Sequence, residues 1–119
     1  MVEQKRKYII GGNWKSNGTV DFVRKTCDAL NVLEFARGEI EVLICPISIH
    51  IASAKAMLVE GVDVACQNIS AKKDGAFTGE ISAEQVKDFG LRWTLIGHSE
   101  RRTLYGETDE IVCTKVQRA

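Results

Sequence analysis

The chain has one proline, no apolar run long enough for a membrane span, and no excess of either charge. Crossing a bilayer takes roughly 20 apolar residues, so no segment qualifies as a membrane helix. Lys and Arg total 16 against 16 Asp and Glu, with no basic stripe. That balance argues against nucleic acid as a partner, because phosphate binding needs a local cationic surplus. The N-terminal stretch Met1-Val2-Glu3-Gln4-Lys5-Arg6-Lys7 passes from charges straight to strand residues, without the apolar core and cleavage site of a signal peptide. Cys27, Cys45, Cys66 and Cys113 form no C-x-x-C pair and have no histidine at zinc-ligand spacing, so reduced, mostly buried thiols are expected and a metal is not. A soluble, cytoplasmic protein is the expectation, and 119 residues are enough for one modest domain with a real core.

What is present alternates between strands and helices. Lys7-Tyr8-Ile9-Ile10 reads as a strand running into Gly11-Gly12-Asn13-Trp14-Lys15, where two glycines allow a turn or a close approach. Asn17-Gly18-Thr19 is a turn with Thr19 as a cap, followed by a helical stripe of Val20, Val23, Cys27, Leu30 and Leu33. Val42-Leu43-Ile44-Cys45 is the second strand, led in by Glu39-Ile40-Glu41 and closed by Pro46. Ser48 is a cap candidate for a helix to about Val59, with His50 near its start and expected to be exposed or locally bonded. Val62-Asp63-Val64-Ala65-Cys66 is the third strand, and the longest polar connection follows, from Gln67-Asn68 to Gly79-Glu80. Such a loop in a compact domain is functional or at an interface. Ser82-Ala83-Glu84-Gln85 is a capping box for a short helix ending before Gly90. Trp93-Thr94-Leu95-Ile96 is the fourth strand; beyond it, Gly106-Glu107-Thr108-Asp109-Glu110 sets acids at a helix start. Val112, Val116 and Ala119 extend an apolar stripe with no stop signal, so a helix cut short is expected. Four βα units with continuous apolar strands imply an α/β fold with a parallel sheet, open or curled.

The chemistry gathers at strand ends. Gly97 breaks the fourth strand and delivers His98 at its carboxyl end, with Ser99 and Glu100 opening a helical turn. Unpaired backbone N–H groups at such a start discourage protonation of an imidazole, which predicts a neutral histidine aimed at a substrate. Asn13 and Lys15 follow the first strand. Singly they read as a turn residue and a solvated lysine. With His98 they make a donor, a cation and an imidazole suited to an anionic, oxygen-rich substrate and to an enediolate formed beside its carbonyl.

Gly11-Gly12-Asn13-Trp14-Lys15, Gly75-Ala76-Phe77-Thr78-Gly79-Glu80, Ile96-Gly97-His98-Ser99-Glu100-Arg101-Arg102 and Gly106-Glu107-Thr108-Asp109-Glu110 resemble the triosephosphate isomerase family closely and in order. The resemblance implies the N-terminal half of a TIM (βα)8 barrel, about four βα units over residues 1–119 with the last helix cut off, since the family's barrel runs to roughly 250 residues. It implies interconversion of dihydroxyacetone phosphate and D-glyceraldehyde 3-phosphate through an enediolate, in glycolysis and gluconeogenesis, with no cofactor. By match to the motifs, Asn13 would orient the substrate and Lys15 would stabilise its charge. His98 would polarise the carbonyl and shuttle protons, as in the tuned neutral histidine known for this family. Glu100 would tune or position Lys15, or form a structural ion pair. The long loop would enter the partner of a homodimer: Thr78 would contact the partner's site, Glu80 would pair with Arg101 across the interface, and Phe77 would pack there. For Arg102 a solvated side chain is the credible alternative. The sequence departs from the family at Ser16, often bulkier or a cysteine, and at the loop tip Ala71-Lys72-Lys73-Asp74.

No stretch resembles the family's catalytic-base segment, its lid or its glycine-rich phosphate loops. The expectation is therefore an N-terminal portion that is inert alone, with unpaired strand edges and an exposed apolar face. The alternative is a half-barrel that serves as a non-catalytic binding or assembly module.

Overall fold

The structure, a computed structural model, describes residues 5–119; the charged stretch Met1–Gln4 read above lies outside them. The chain divides into two compact units, one ending at Val64 and the other running from Ala65 to Ala119.

The first unit holds β1 (Tyr8–Asn13), α1 (Val20–Asn31), β2 (Ile40–Cys45), α2 (Ser48–Met57) and the start of β3 (Val62–Cys66). β1 runs parallel to β2 in the register Tyr8↔Ile40 to Asn13↔Cys45, and β2 runs parallel to β3 from Val42↔Val62 to Ile44↔Val64. The glycine pair makes no turn: Gly11 and Gly12 lie inside β1, opposite Leu43 and Ile44. Neither makes a close approach: a Cβ at Gly12 would sit at ordinary contact distance, 3.7 Å from the Trp14 indole nitrogen, and one at Gly11 would meet nothing within 4 Å.

Thr19 caps α1, its hydroxyl accepting the Phe22 N–H at 3.1 Å. The helix buries Val23 and Cys27 but leaves Val20 and Leu33 exposed, so the stripe is narrower than its spacing predicts. Leu33 lies beyond the last turn, because Asn31 ends the helix by tying it to α2. Its Nδ2 donates to the Met57 carbonyl at 2.8 Å, and its Oδ1 accepts the Val59 N–H at 2.9 Å.

Two expectations for α2 are corrected. Ser48 is the first helical residue, and Ile47 is the cap position, with no side-chain cap bond. His50 is buried, at 8% exposure, because it shares the inward face with Ile51 and Ala54.

The second unit holds the end of β3, α3 (Ala83–Asp88), β4 (Trp93–Thr94), α4 (Ser99–Tyr105) and α5 (Asp109–Arg118). β3 and β4 are parallel, with Ala65↔Trp93 and Cys66↔Thr94 paired. β4 is shorter than the apolar run predicts, although Leu95 still donates to the Cys66 carbonyl at 2.8 Å. The Ser82–Gln85 capping box forms as predicted, with bonds of 3.1 and 3.0 Å. The long connection closes at its base where Ser70 N–H meets the Ile81 carbonyl at 2.8 Å, and the Ser82 hydroxyl donates to Asp74 near its tip. Residues 72–80 are exposed, Phe77 among them.

The apolar stripe of α5 is not its buried face. Val116 is exposed, and the residue α5 buries is Lys115. Cys27, Cys45 and Cys66 are buried free thiols and Cys113 is exposed, as the spacing predicts. Among the described residues, no helix is long and apolar enough to cross a membrane.

Candidate active site

β1 delivers Asn13 and Lys15. The ladder extends one step past the strand, with Trp14 N–H donating to the Cys45 carbonyl at 3.1 Å. Lys15 then adopts φ 55°, the one positive φ at a non-glycine among the described residues. That conformation costs on the order of 1–3 kcal/mol, so its surroundings must enforce it. The Asn13 side chain does so, its Oδ1 accepting the Lys15 N–H at 2.9 Å. Asn17 Nδ2 donates to the Trp14 carbonyl at 3.0 Å, and the Trp14 ring meets Phe22 of α1 edge-on at 5.0 Å. A braced loop thus holds a strained lysine backbone beside an amide.

His98 follows β4. Gly97 turns the chain at φ 71° and could carry no side chain, since a Cβ would lie 2.9 Å from Val112 Cγ1. His98 is itself the N-cap of α4, and its Nδ1 accepts the Glu100 N–H at 3.1 Å. A nitrogen accepting that bond carries no proton, which leaves the proton of a neutral ring on Nε2 as a donor. The Glu100 carboxylate lies 3.7 Å from the same Nδ1. The shorter, directed backbone bond decides the arrangement: 3.7 Å is beyond hydrogen-bond range. The backbone donor expected at this helix start is present, in the Glu100 N–H.

The structure brings Asn13 to Lys15 in the first unit, and His98 to Glu100 in the second. Arg101 pairs through Nε with Glu107 and stacks over Tyr105, its Cζ 5.0 Å from the ring centre. Arg102, for which a solvated side chain was the alternative, is partly exposed and held by two acceptors. Its Nε donates to the Gly97 carbonyl at 3.0 Å and its Nη1 meets Asp109 at 2.6 Å. Thr78 and Glu80 lie on the exposed part of the long loop, where Glu80 N–H donates to the Phe77 carbonyl at 3.0 Å.

Sequence reasoning missed a buried ionic chain behind α4. Glu107, 7% exposed, receives Arg101 on one side and Lys115 Nζ at 2.9 Å on the other. Lys115, 4% exposed, also donates to Asn68 Oδ1 at 2.8 Å, just after β3. Burial alone would raise the Glu107 pKa, but the bonds and charges of Lys115 and Arg101 outweigh it and hold the carboxyl below its usual value. One signal could have exposed the chain: Lys115 sits three residues after Val112 on the supposed apolar face. Burial pushes the Cys27 and Cys66 thiols up, away from thiolate chemistry.

Comparison with known proteins finds relatives for most of the chain. The profile of the family described as triosephosphate isomerase matches residues 8–119. A cytosolic triosephosphate isomerase of Oryza sativa subsp. japonica is 45% identical over 112 residues, covering 93% of this chain and 44% of the relative. A triosephosphate isomerase of Ruthia magnifica subsp. Calyptogena magnifica is 42% identical over 114 residues, covering 94% of this chain and 45% of the relative. A chloroplastic triosephosphate isomerase of Arabidopsis thaliana is 43% identical over 109 residues, covering 92% of this chain and 34% of the relative. The chain spans less than half the length of each of these relatives.

Proposed function

The chain belongs to the triosephosphate isomerase family, and from that premise we propose that it carries the carbonyl-polarising and charge-stabilising groups of an isomerase. The reaction is interconversion of dihydroxyacetone phosphate and D-glyceraldehyde 3-phosphate, a step of glycolysis and gluconeogenesis. Its parallel βα units are those of the first half of the family's barrel.

The observation that carries the reading is the Glu100 N–H bond to His98 Nδ1 at the start of α4. It leaves Nε2–H to donate to the substrate carbonyl, and that donation strengthens as the oxygen gains charge in the enediolate. A neutral imidazole has the further advantage of a conjugate base strong enough to move a proton between the two oxygens; this tuning is known for the family. Lys15 supplies a positive charge for the anionic substrate and the developing enediolate. Asn13 orients the substrate and, through its bond to the Lys15 N–H, sets where that ammonium stem begins. Glu100 positions the imidazole through its backbone N–H.

The proton-abstracting carboxylate and the phosphate loops have no counterpart in these residues, so the 119 residues alone turn over no substrate. The complete enzyme is a cytoplasmic homodimer. Support for the dimer comes from an exposed Phe77 on a loop closed at its base, with Thr78 and Glu80 beside it. Arg101 takes part through its Nη groups, since its Nε is committed to Glu107. Support for the compartment comes from the cytosolic Oryza sativa relative, against a chloroplastic relative in Arabidopsis thaliana.

In the complete protein, His98→Gln lowers kcat by roughly 10²–10⁴-fold while KM changes little, the range expected for loss of a proton-transferring group. Steady-state isomerase kinetics in both directions check this. A variant with unchanged kcat, or one whose whole defect lies in KM, refutes the role.

A further inference from the structure

Arg102 is on α4, yet its guanidinium reaches back to the peptide that precedes His98. Nε donates to the Gly97 carbonyl at 3.0 Å, and Nη1 pairs with Asp109, the first residue of α5, at 2.6 Å. Gly97 is confined from two sides. A Cβ there would meet Val112 Cγ1 of α5 at 2.9 Å and Arg102 Nη2 at 3.4 Å. The Gly97 carbonyl belongs to the same peptide plane as the His98 N–H. Turning that plane would change the His98 φ of −55° and swing the imidazole away from the Glu100 N–H.

We propose that Arg102 is a positioning residue for His98, fixing the Gly97–His98 peptide so that the imidazole keeps Nδ1 on the Glu100 N–H. Two features separate this from a surface ion pair. The Asp109 carboxylate is almost fully exposed, so its pairing with Arg102 contributes little, whereas the bond to Gly97 is charge-assisted and partly buried. The planar fork of arginine also serves two acceptors at once, Gly97 and Asp109, which an ammonium cannot do in the same geometry. The consequence for turnover rests on the isomerase reading above; the positioning itself does not.

The experiment is ¹⁵N NMR of the His98 ring in the complete protein, for the wild type, Arg102→Met, Arg102→Lys and Asp109→Asn. The wild type shows one protonated nitrogen, Nε2, and one acceptor nitrogen, Nδ1. Arg102→Met brings the two resonances toward each other as the tautomers average, and Arg102→Lys, which keeps the stem and charge if the Met variant does not fold, does the same. Asp109→Asn leaves the pattern unchanged, because the Gly97 bond survives. In the isomerase assay the Arg102 variants lose on the order of tenfold in kcat with KM held, the signature of a displaced group. A folded Arg102 variant with wild-type His98 resonances overturns the proposal, as does an Asp109→Asn spectrum that shifts as far as Arg102→Met. A wild type without isomerase activity but with the resonance pattern responding as described would refute the isomerase reading and uphold the positioning.

Discussion

Glu107 and Lys115 are both more than nine-tenths buried, and each has a polar partner besides the other. Removing the carboxylate would leave a buried ammonium without compensation, a defect that costs on the order of 3 kcal/mol. Glu107→Gln is therefore expected to lower the urea midpoint of unfolding by that equivalent. The pH dependence has a defined sign. The folded pKa of Glu107 lies below its ordinary 4.5, so its contribution is present above that value and is lost as pH falls through the depressed folded pKa. Wild-type stability, measured by urea unfolding from pH 7 downward, should fall below pH 4.5, and Glu107→Gln should flatten that acid limb. A wild-type curve without an acid limb, or a variant curve parallel to it, contradicts the assignment. At this scale the sequence was unevenly legible. Asn13, Lys15 and His98 announce themselves because each stands at or just past the carboxyl end of an apolar strand, His98 directly after the strand-breaking Gly97. Arg102 and the Glu107–Lys115 pair do not, because their partners lie 5, 7 and 8 positions away along turns whose direction only the folded chain sets.

Elements were legible where a local bond defines them. Thr19 and Ser82 cap α1 and α3 as their spacing predicts, since a cap is a contact between near neighbours. Ser48 fails as a cap because the helix begins one residue earlier than its side chain suggests. α5 misleads for another reason: periodicity finds the apolar positions but not that a lysine is drawn inward by a buried carboxylate. Ser82 does more than cap, because its hydroxyl also donates to Asp74 in the long loop. Ser82→Ala is thus expected to cost about 1 kcal/mol from the cap. It should also hasten proteolytic cleavage within residues 72–80, readable by timed digestion and mass spectrometry. Unchanged stability together with an unchanged cleavage rate would count against this double role.

At the scale of the whole molecule, the parallel βα order was readable from four apolar runs and their helical spacers, and the ladders confirm it. The exposure of the first run was readable too. β1 exposes Tyr8, Ile9 and Ile10, Tyr8 at 75%, in line with the exposed apolar face expected of the first strand. Among the described residues β1 is bonded to β2 alone, and apolar strand residues at an edge are those a further strand layer would cover. The central claim is that these residues supply a working share of an isomerase site, and a chimera tests it most directly. Residues 8–119 would replace the matched segment of the cytosolic Oryza sativa relative, and the purified product would be assayed for triose phosphate isomerisation. A chimera that isomerises, and that loses activity on Asn13→Ala, Lys15→Ala or His98→Gln, is the result predicted. A folded chimera without activity, or one whose activity survives those three changes, would contradict the account.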